Sequence, residues 1–151
     1  GFVKGDTSMN EIPVLVSIHS CAHRDDDTEE PISLITSGTL MLDEEKAVVT
    51  YQETLDESLP SQTVTVTVKD DTVTMQRDGN YATQMVFVRG QRYEGIYQTP
   101  FGDMDIAVFC TRLSYDLTEE GGEIFLVYQM DMNGQFAAMH QMHMEITVKN
   151  G

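Results

Sequence analysis

The fold is decided by one stretch of the sequence, Thr63-Val64-Thr65-Val66-Thr67-Val68. In an extended chain its valines and threonines lie on opposite faces, because successive side chains of a β-strand alternate between the two sides. All six residues are β-branched, which makes them stiff at χ1 and favours strands over helices. The stretch therefore predicts a strand with one apolar face and one hydroxyl-bearing face.

The same two-residue period continues on both sides of this stretch, and we find no convincing amphipathic helix. The predicted strands lie near residues 12–20, 32–42, 46–54, 62–69, 72–77, 82–89, 92–98, 102–112, 122–131 and 139–148. Turn residues separate them, among them Asp70-Asp71, Asp78-Gly79-Asn80 and Asn133-Gly134. Such residues supply the positive φ angles that tight hairpins need.

The short connections predict the architecture as well as the strands. Consecutive strands joined by tight turns must be antiparallel, because a parallel pair needs a long crossover connection. A long twisted meander tends to curl or close, which removes its edges. We therefore expect an all-β, antiparallel up-and-down barrel of about 8–10 strands, with a two-sheet sandwich as the alternative. Residues 12–149 would form this single domain, after a tag remnant or disordered N-terminus over residues 1–11.

The composition excludes some partners. The chain has 151 residues, with 9 basic and 25 acidic side chains and a net charge of −16. This charge argues against binding to nucleic acid or to an anionic membrane, since basic patches hold both. No apolar run approaches the ~18 residues of a membrane-spanning helix, and no signal peptide is recognisable. Cys21 and Cys110 form no spaced set, so we expect reduced thiols and a cytoplasmic location.

Several short motifs occur in a fixed order along the chain. They are Val73-x-Met75-x-Arg77-x-Gly79, Met85-x-Phe87-x-x-Gly90, Tyr97-x-Thr99-Pro100-Phe101-Gly102, Gly121-Gly122-x-Ile124 and Tyr128-x-Met130-Asp131-x-Asn133-Gly134. Over residues 12–149 this series resembles the YwiB-like family of small bacterial proteins. The resemblance implies a closed, calycin-like barrel of the lipocalin and streptavidin kind, in a family whose function is unassigned. It provides no catalytic residues.

The apolar face of each strand predicts which side chains point into the barrel. Glu53 shares a face with Val49 and Tyr51, and Arg77 shares one with Val73 and Met75, so both charged residues should point inward. They would either form a structural salt bridge or serve as a ligand clamp, in which Arg77 holds a carboxylate bidentately. Glu53 argues against an anionic ligand, because it already offers Arg77 a carboxylate. The candidate ligand-binding residues are Arg77, Glu53, Tyr51, Tyr97, Tyr128, Phe87, Met75 and Met130.

Metal binding and catalysis are not predicted. The outward face of the first strand carries His19, Cys21 and His23 at every second position. His19 and His23 would lie ~13 Å apart, which is too far for them to share one ion. The segment from Met139 to Met144 resembles a soft-metal site, but alternation divides its side chains between two faces. The acidic residues 25–30 lack the spacing of a calcium loop, and we expect a solvated acidic loop there. We expect no metal, no cofactor and no enzyme activity, because the motifs of nucleophile elbows and phosphate loops are absent.

Two functions remain open at this stage. The first is a non-catalytic barrel that binds a small apolar or amphipathic ligand in a lumen lined by tyrosine and methionine. The alternative is a protein–protein interaction module with a filled core and an acidic surface. A lumen larger than ~300 Å³ would favour the first function, and a lumen plugged by side chains would favour the second.

Overall fold

The computed structural model describes residues 11–24, 31–54 and 57–149, together with the backbone of residues 27–28. The strands of this part of the chain are β1 (Glu11–Arg24), β2 (Asp27–Thr28), β3 (Ile32–Leu42), β4 (Ala47–Glu53), β5 (Gln62–Lys69), β6 (Thr72–Asp78), β7 (Thr83–Val88), β8 (Arg92–Thr99), β9 (Gly102–Thr118), β10 (Gly121–Met132) and β11 (Gln135–Val148). The described residues contain no helix, and therefore none that is long and apolar enough to cross a membrane.

All ten predicted strands are present, and the main differences in extent concern β1, β9 and β11, which begins at Gln135 instead of residue 139. β1 continues to Arg24, and the two-residue strand β2 lies in the acidic segment that was expected to be a loop. The other residues of that segment, and residues 1–10, lie outside the described residues. β9 continues to Thr118, beyond the predicted end at residue 112.

A β-bulge explains why the prediction for β9 was too short. Tyr128 is paired with Cys110 and Val127 with Arg112, so Thr111 is an extra residue between them. The extra residue shifts the alternation by one position, and the apolar face resumes at Leu113. A strict two-residue period therefore ends at the bulge, although the strand does not.

The strands form a nearly closed antiparallel barrel, which confirms the predicted up-and-down architecture. The sheet order is β7-β6-β5-β4-β3-β1-β11-β10-β9-β8, with β2 paired only to β1. Every neighbouring pair follows the chain order except β1 and β11, which join the two halves. β7 and β8 are the ends of the path, and Ala82 and Gln98 connect them by two backbone hydrogen bonds of 3.1 and 2.8 Å.

One aromatic side chain occupies the seam between β7 and β8. The ring of Tyr93 lies over Gly95, where an added Cβ would be only 3.0 Å from Cε2 of the ring. The side-chain amide of Gln84, on β7, donates a hydrogen bond of 3.4 Å to the Tyr93 hydroxyl. Glycine is therefore favoured at position 95, because an added Cβ would press against the ring that lies across the seam.

The two ends of the barrel differ in how their interior is filled. We call the end at which β1, β4, β6, β8 and β10 finish the open end, and the opposite end the filled end. Inward side chains close the filled end completely, and those that are essentially inaccessible to solvent include Val14, Val16, Leu40, Leu42, Val66, Val68, Ile124 and Met144. This packing provides the main hydrophobic stabilisation, and in the part of the chain that the structure describes it leaves space in the barrel interior at the open end alone.

Candidate functional site

The interior of the open end holds a cavity of about 320 Å³, which we call the open-end cavity. Its polar and aromatic wall consists of Tyr51, Glu53, Arg77, Tyr97, Tyr128 and His140. Its apolar wall consists of Ile18, Leu34, Met75, Met85, Met130 and Met142. Seven of the eight residues predicted to bind a ligand therefore line one cavity.

The remaining candidate, Phe87, does not line this cavity. Its side chain is inaccessible to solvent and packs beneath Tyr128, with ring centroids 4.6 Å apart and an interplanar angle of 50°. Phe87 shares an inward face with Met85 on β7, but it lies two residues further towards the filled end. It therefore supports a wall residue from below instead of facing a ligand.

Arg77 and Glu53 form a bidentate ion pair in the cavity wall. Nε of Arg77 donates to Oε1 of Glu53 at 2.9 Å, and Nη2 donates to Oε2 at 3.3 Å. The pair is largely buried, with 20% of the Arg77 side chain and 14% of the Glu53 side chain exposed. Burial alone would lower the pKa of Arg77, but the hydrogen bond and charge of Glu53 outweigh it and raise this pKa.

The register of three strands brings this pair together. On β5, Val64 is paired with Tyr51 of β4 on one side and with Arg77 of β6 on the other. Glu53 lies two residues beyond Tyr51, so it shares the inward face at the open end. Arg77 reaches across β5 to it. The sequence-based prediction that both charged side chains point inward and meet is therefore confirmed.

Three tyrosine hydroxyls belong to the same wall. Burial raises the pKa of Tyr128 to about 12 and also raises the pKa values of Tyr51 and Tyr97, while the charge of Arg77 partly opposes all three shifts. Among the described residues, none of these hydroxyls hydrogen-bonds to another protein group, and none is sealed away from accessible space. Each hydroxyl is therefore neutral at neutral pH and able to donate one hydrogen bond and accept others.

His140 lies flat against one of these tyrosines. The rings of His140 and Tyr128 are stacked, with centroids 5.1 Å apart and an interplanar angle of 10°. From the sequence, His140 was expected only as part of the possible soft-metal segment from Met139 to Met144, and it was not among the candidate ligand-binding residues. Its alternation with Met142 and Met144 on β11 was the signal that places it inside, because both methionines are buried.

The other histidine and cysteine candidates lie apart from the cavity. On β1, Nδ1 of His19 is 3.0 Å from the Ser33 hydroxyl, and Sγ of Cys21 is 3.6 Å from Nε2 of His23. Neither Cys21 nor Cys110 is in a disulfide. Within the described ranges, no group of three or more His, Cys, Asp and Glu side chains has the geometry of a metal site.

A second hollow, of about 390 Å³, lies across β8, β9 and β10. Three of its charged side chains already pair with one another, since Arg92 contacts Asp131 at 3.0 Å and Glu94 at 3.2 Å. Hydrogen bonds from Gln129 and Arg92 lower the pKa of Asp131. The open-end cavity is the better candidate site, because it is interior and its hydroxyls lack protein partners.

The fold and the cavity together define a small antiparallel β-barrel with one filled end and one hollow end. Comparison with known families agrees: the chain belongs to the family described as "Domain of unknown function (DUF1934)", which matches residues 16–144. It is also similar to the uncharacterised β-barrel protein YwiB of Bacillus subtilis (strain 168), with 27% identity over 141 residues that cover 93% of this chain and 96% of YwiB.

A solved structure supports the fold independently. The crystal structure of the YwiB protein from Bacillus subtilis superposes with a TM-score of 0.84 at 24% sequence identity, over 94% of this chain and 96% of that one. The predicted resemblance to the YwiB-like family is thereby confirmed, as is an antiparallel β-barrel fold.

Proposed function

We propose that this protein is a non-catalytic barrel that binds a small ligand in the open-end cavity. The observation that carries the proposal is the combination of an interior volume of about 320 Å³ with three tyrosine hydroxyls that have no partner among the described residues. Buried polar groups are nearly always satisfied, by protein, by water or by a ligand. Hydroxyls lining a hollow are therefore suited to a bound molecule.

The size and lining of the cavity limit the ligand. Its volume lies at the lower end of the ~300–1,000 Å³ range of small-molecule sites, so the ligand is compact. Four methionines, Met75, Met85, Met130 and Met142, form much of the apolar wall, and their flexible thioethers adapt to irregular shapes. A small apolar or amphipathic molecule fits this wall, in the manner of lipocalin-like barrels that hold one ligand at their mouth.

The alternative function, an interaction module for a basic protein partner, rests on the net charge of −16. The interaction module predicted from the sequence also has a filled core. The filled end agrees with that requirement and the hollow at the open end does not, so we favour ligand binding.

Native mass spectrometry of the protein purified from its own host tests this proposal. We expect an additional small-molecule mass on the wild-type protein. Leu34→Trp should remove it, because a larger side chain in the apolar wall fills the space that the ligand needs. Leu15→Trp is the matched control, because Leu15 is 41% exposed and is not part of the cavity wall. Wild-type protein without an additional mass, or equal retention by Leu34→Trp, would contradict the proposal.

A further inference from the structure

The charge balance of the open-end cavity restricts the ligand beyond its size. Both oxygens of Glu53 accept hydrogen bonds from Arg77, at 2.9 and 3.3 Å. The positive charge of Arg77 is therefore compensated within the wall itself. The other wall groups that lie near this pair, Tyr51, Tyr97 and Tyr128, contribute neutral hydroxyls.

Two effects would weaken the binding of an anionic ligand in this cavity. The edge of the guanidinium formed by Nε and Nη2 is already occupied by Glu53, so a second carboxylate or sulfonate would have to share Arg77 with a like charge close by. The chain as a whole carries a charge of −16, which lowers the local concentration of anions further.

Neither effect weakens the binding of an uncharged molecule. The three hydroxyls can donate to a carbonyl, ether or ring nitrogen, or accept from an amide or amine, without any change in charge. The parallel rings of Tyr128 and His140 give the wall a rigid aromatic part, and the methionine sulfurs make favourable contacts with aromatic rings. Aromatic ligands with a polar atom are matched by both features.

We propose that the open-end cavity selects uncharged aromatic ligands that carry a hydrogen-bonding nitrogen or oxygen, and that it excludes organic anions of the same shape. This inference rests on the proposed function and adds the chemical class of the ligand. The sequence also allowed Arg77 to hold a carboxylate of the ligand. In the structure Arg77 is already paired with the carboxylate of Glu53, so the proposed ligand is uncharged.

Two fluorescent compounds that differ by one charged group provide the test. N-phenyl-1-naphthylamine is neutral, and 8-anilinonaphthalene-1-sulfonate has the same ring system with a sulfonate added. Equilibrium titration of the wild-type protein should give saturable binding of the neutral probe and an affinity for the sulfonate that is weaker by about tenfold or more. Leu34→Trp should abolish the signal of the neutral probe, which would locate it in the cavity.

A charge-neutralising variant tests the cause of this preference. Glu53→Gln leaves the charge of Arg77 uncompensated, so the affinity for the sulfonate should rise about tenfold relative to the affinity for the neutral probe. Glu94→Gln is the matched control. It removes one negative charge beside Arg92, outside the cavity, and should leave the ratio of the two affinities unchanged.

The outcomes separate the two proposals. Equal or tighter binding of the sulfonate to the wild-type protein overturns the selectivity and leaves ligand binding in place. Saturable binding of neither probe contradicts both the selectivity and the proposed function. The comparison on wild-type protein stays decisive even where Glu53→Gln does not fold.

Discussion

Removal of Arg77 is the perturbation whose effect follows most directly from the structure. The Glu53 side chain is only 14% exposed beside Arg77, and in Arg77→Ala it loses both of its hydrogen bonds. Breaking one side of a fully buried ion pair costs about 3–5 kcal/mol. Because water in the cavity reaches part of this pair, we expect a loss of ~2–3 kcal/mol in the free energy of unfolding.

The assay is urea unfolding followed by circular dichroism, for the wild type, for Arg77→Ala, for the single variants Arg77→Met and Glu53→Leu, and for the double variant that combines these two. Arg77→Met combined with Glu53→Leu should recover much of the loss, because apolar residues of similar volume often replace a buried ion pair at little cost. Arg92→Ala is the control. Its ion pairs with Glu94 and Asp131 involve an Arg92 side chain that is 46% exposed, so its effect should stay below about 1 kcal/mol.

The double-mutant cycle measures the interaction energy between Arg77 and Glu53. A coupling energy between positions 53 and 77 below ~0.5 kcal/mol would refute the structural ion pair. An Arg77→Ala variant that is as stable as the wild type, but has lost ligand uptake, would instead identify Arg77 as the ligand anchor. That result would also overturn the selectivity for uncharged ligands.

Three further predictions concern other parts of the molecule. Burial raises the pKa of Tyr128 to about 12, whereas the unfolded value is ~10, so the folded state binds more protons in this interval. The contribution of Tyr128 to the free energy of unfolding should therefore be constant up to about pH 10 and fall as the pH rises towards 12. Tyr128→Phe should reduce this fall, and a measured profile that stays flat between pH 10 and 12 would show that the ring is not buried. Gly95→Ala should lower the free energy of unfolding by about 1–3 kcal/mol in urea, because its Cβ displaces the ring of Tyr93. Tyr93→Phe keeps the ring and should cost less than ~1.5 kcal/mol. A Gly95→Ala variant as stable as the wild type would contradict the packing at the seam. Finally, with a net charge of −16, the protein should not retain DNA or RNA in a filter assay at ~0.15 M salt, and retention that weakens with added salt would reveal a basic surface patch.

Much of the fold was predictable because it depends on local sequence. The two-residue period assigned Val73, Met75 and Arg77 to one inward face, and the register of β5 between its neighbours then brought Arg77 to Glu53. The turn at Asp70 and Asp71 was predictable for the same reason, and both residues have positive φ, of 50° and 59°. These features need no information about distant parts of the chain.

The hollow itself was not predictable, because its volume depends on how side chains from separate strands meet. Tyr128 lies flat against His140 and is supported from below by Phe87. Phe87 therefore lies in the packed interior, whereas Tyr128 and His140 belong to the cavity wall. The bulge at Thr111 escaped prediction too, because a single extra residue leaves no mark on the composition of β9.

Methionine methyl NMR tests whether a ligand occupies the open-end cavity. Four of the ten methionines line the cavity, namely Met75, Met85, Met130 and Met142. Met144 is buried at the filled end, and Met41 lies on β3 outside the cavity wall. On addition of N-phenyl-1-naphthylamine to protein labelled at the methionine methyl groups, we expect resonance shifts at the four cavity methyls and none at Met41 and Met144. Shifts centred on Met41 or Met144, or no shifts at a saturating probe concentration, would contradict this expectation.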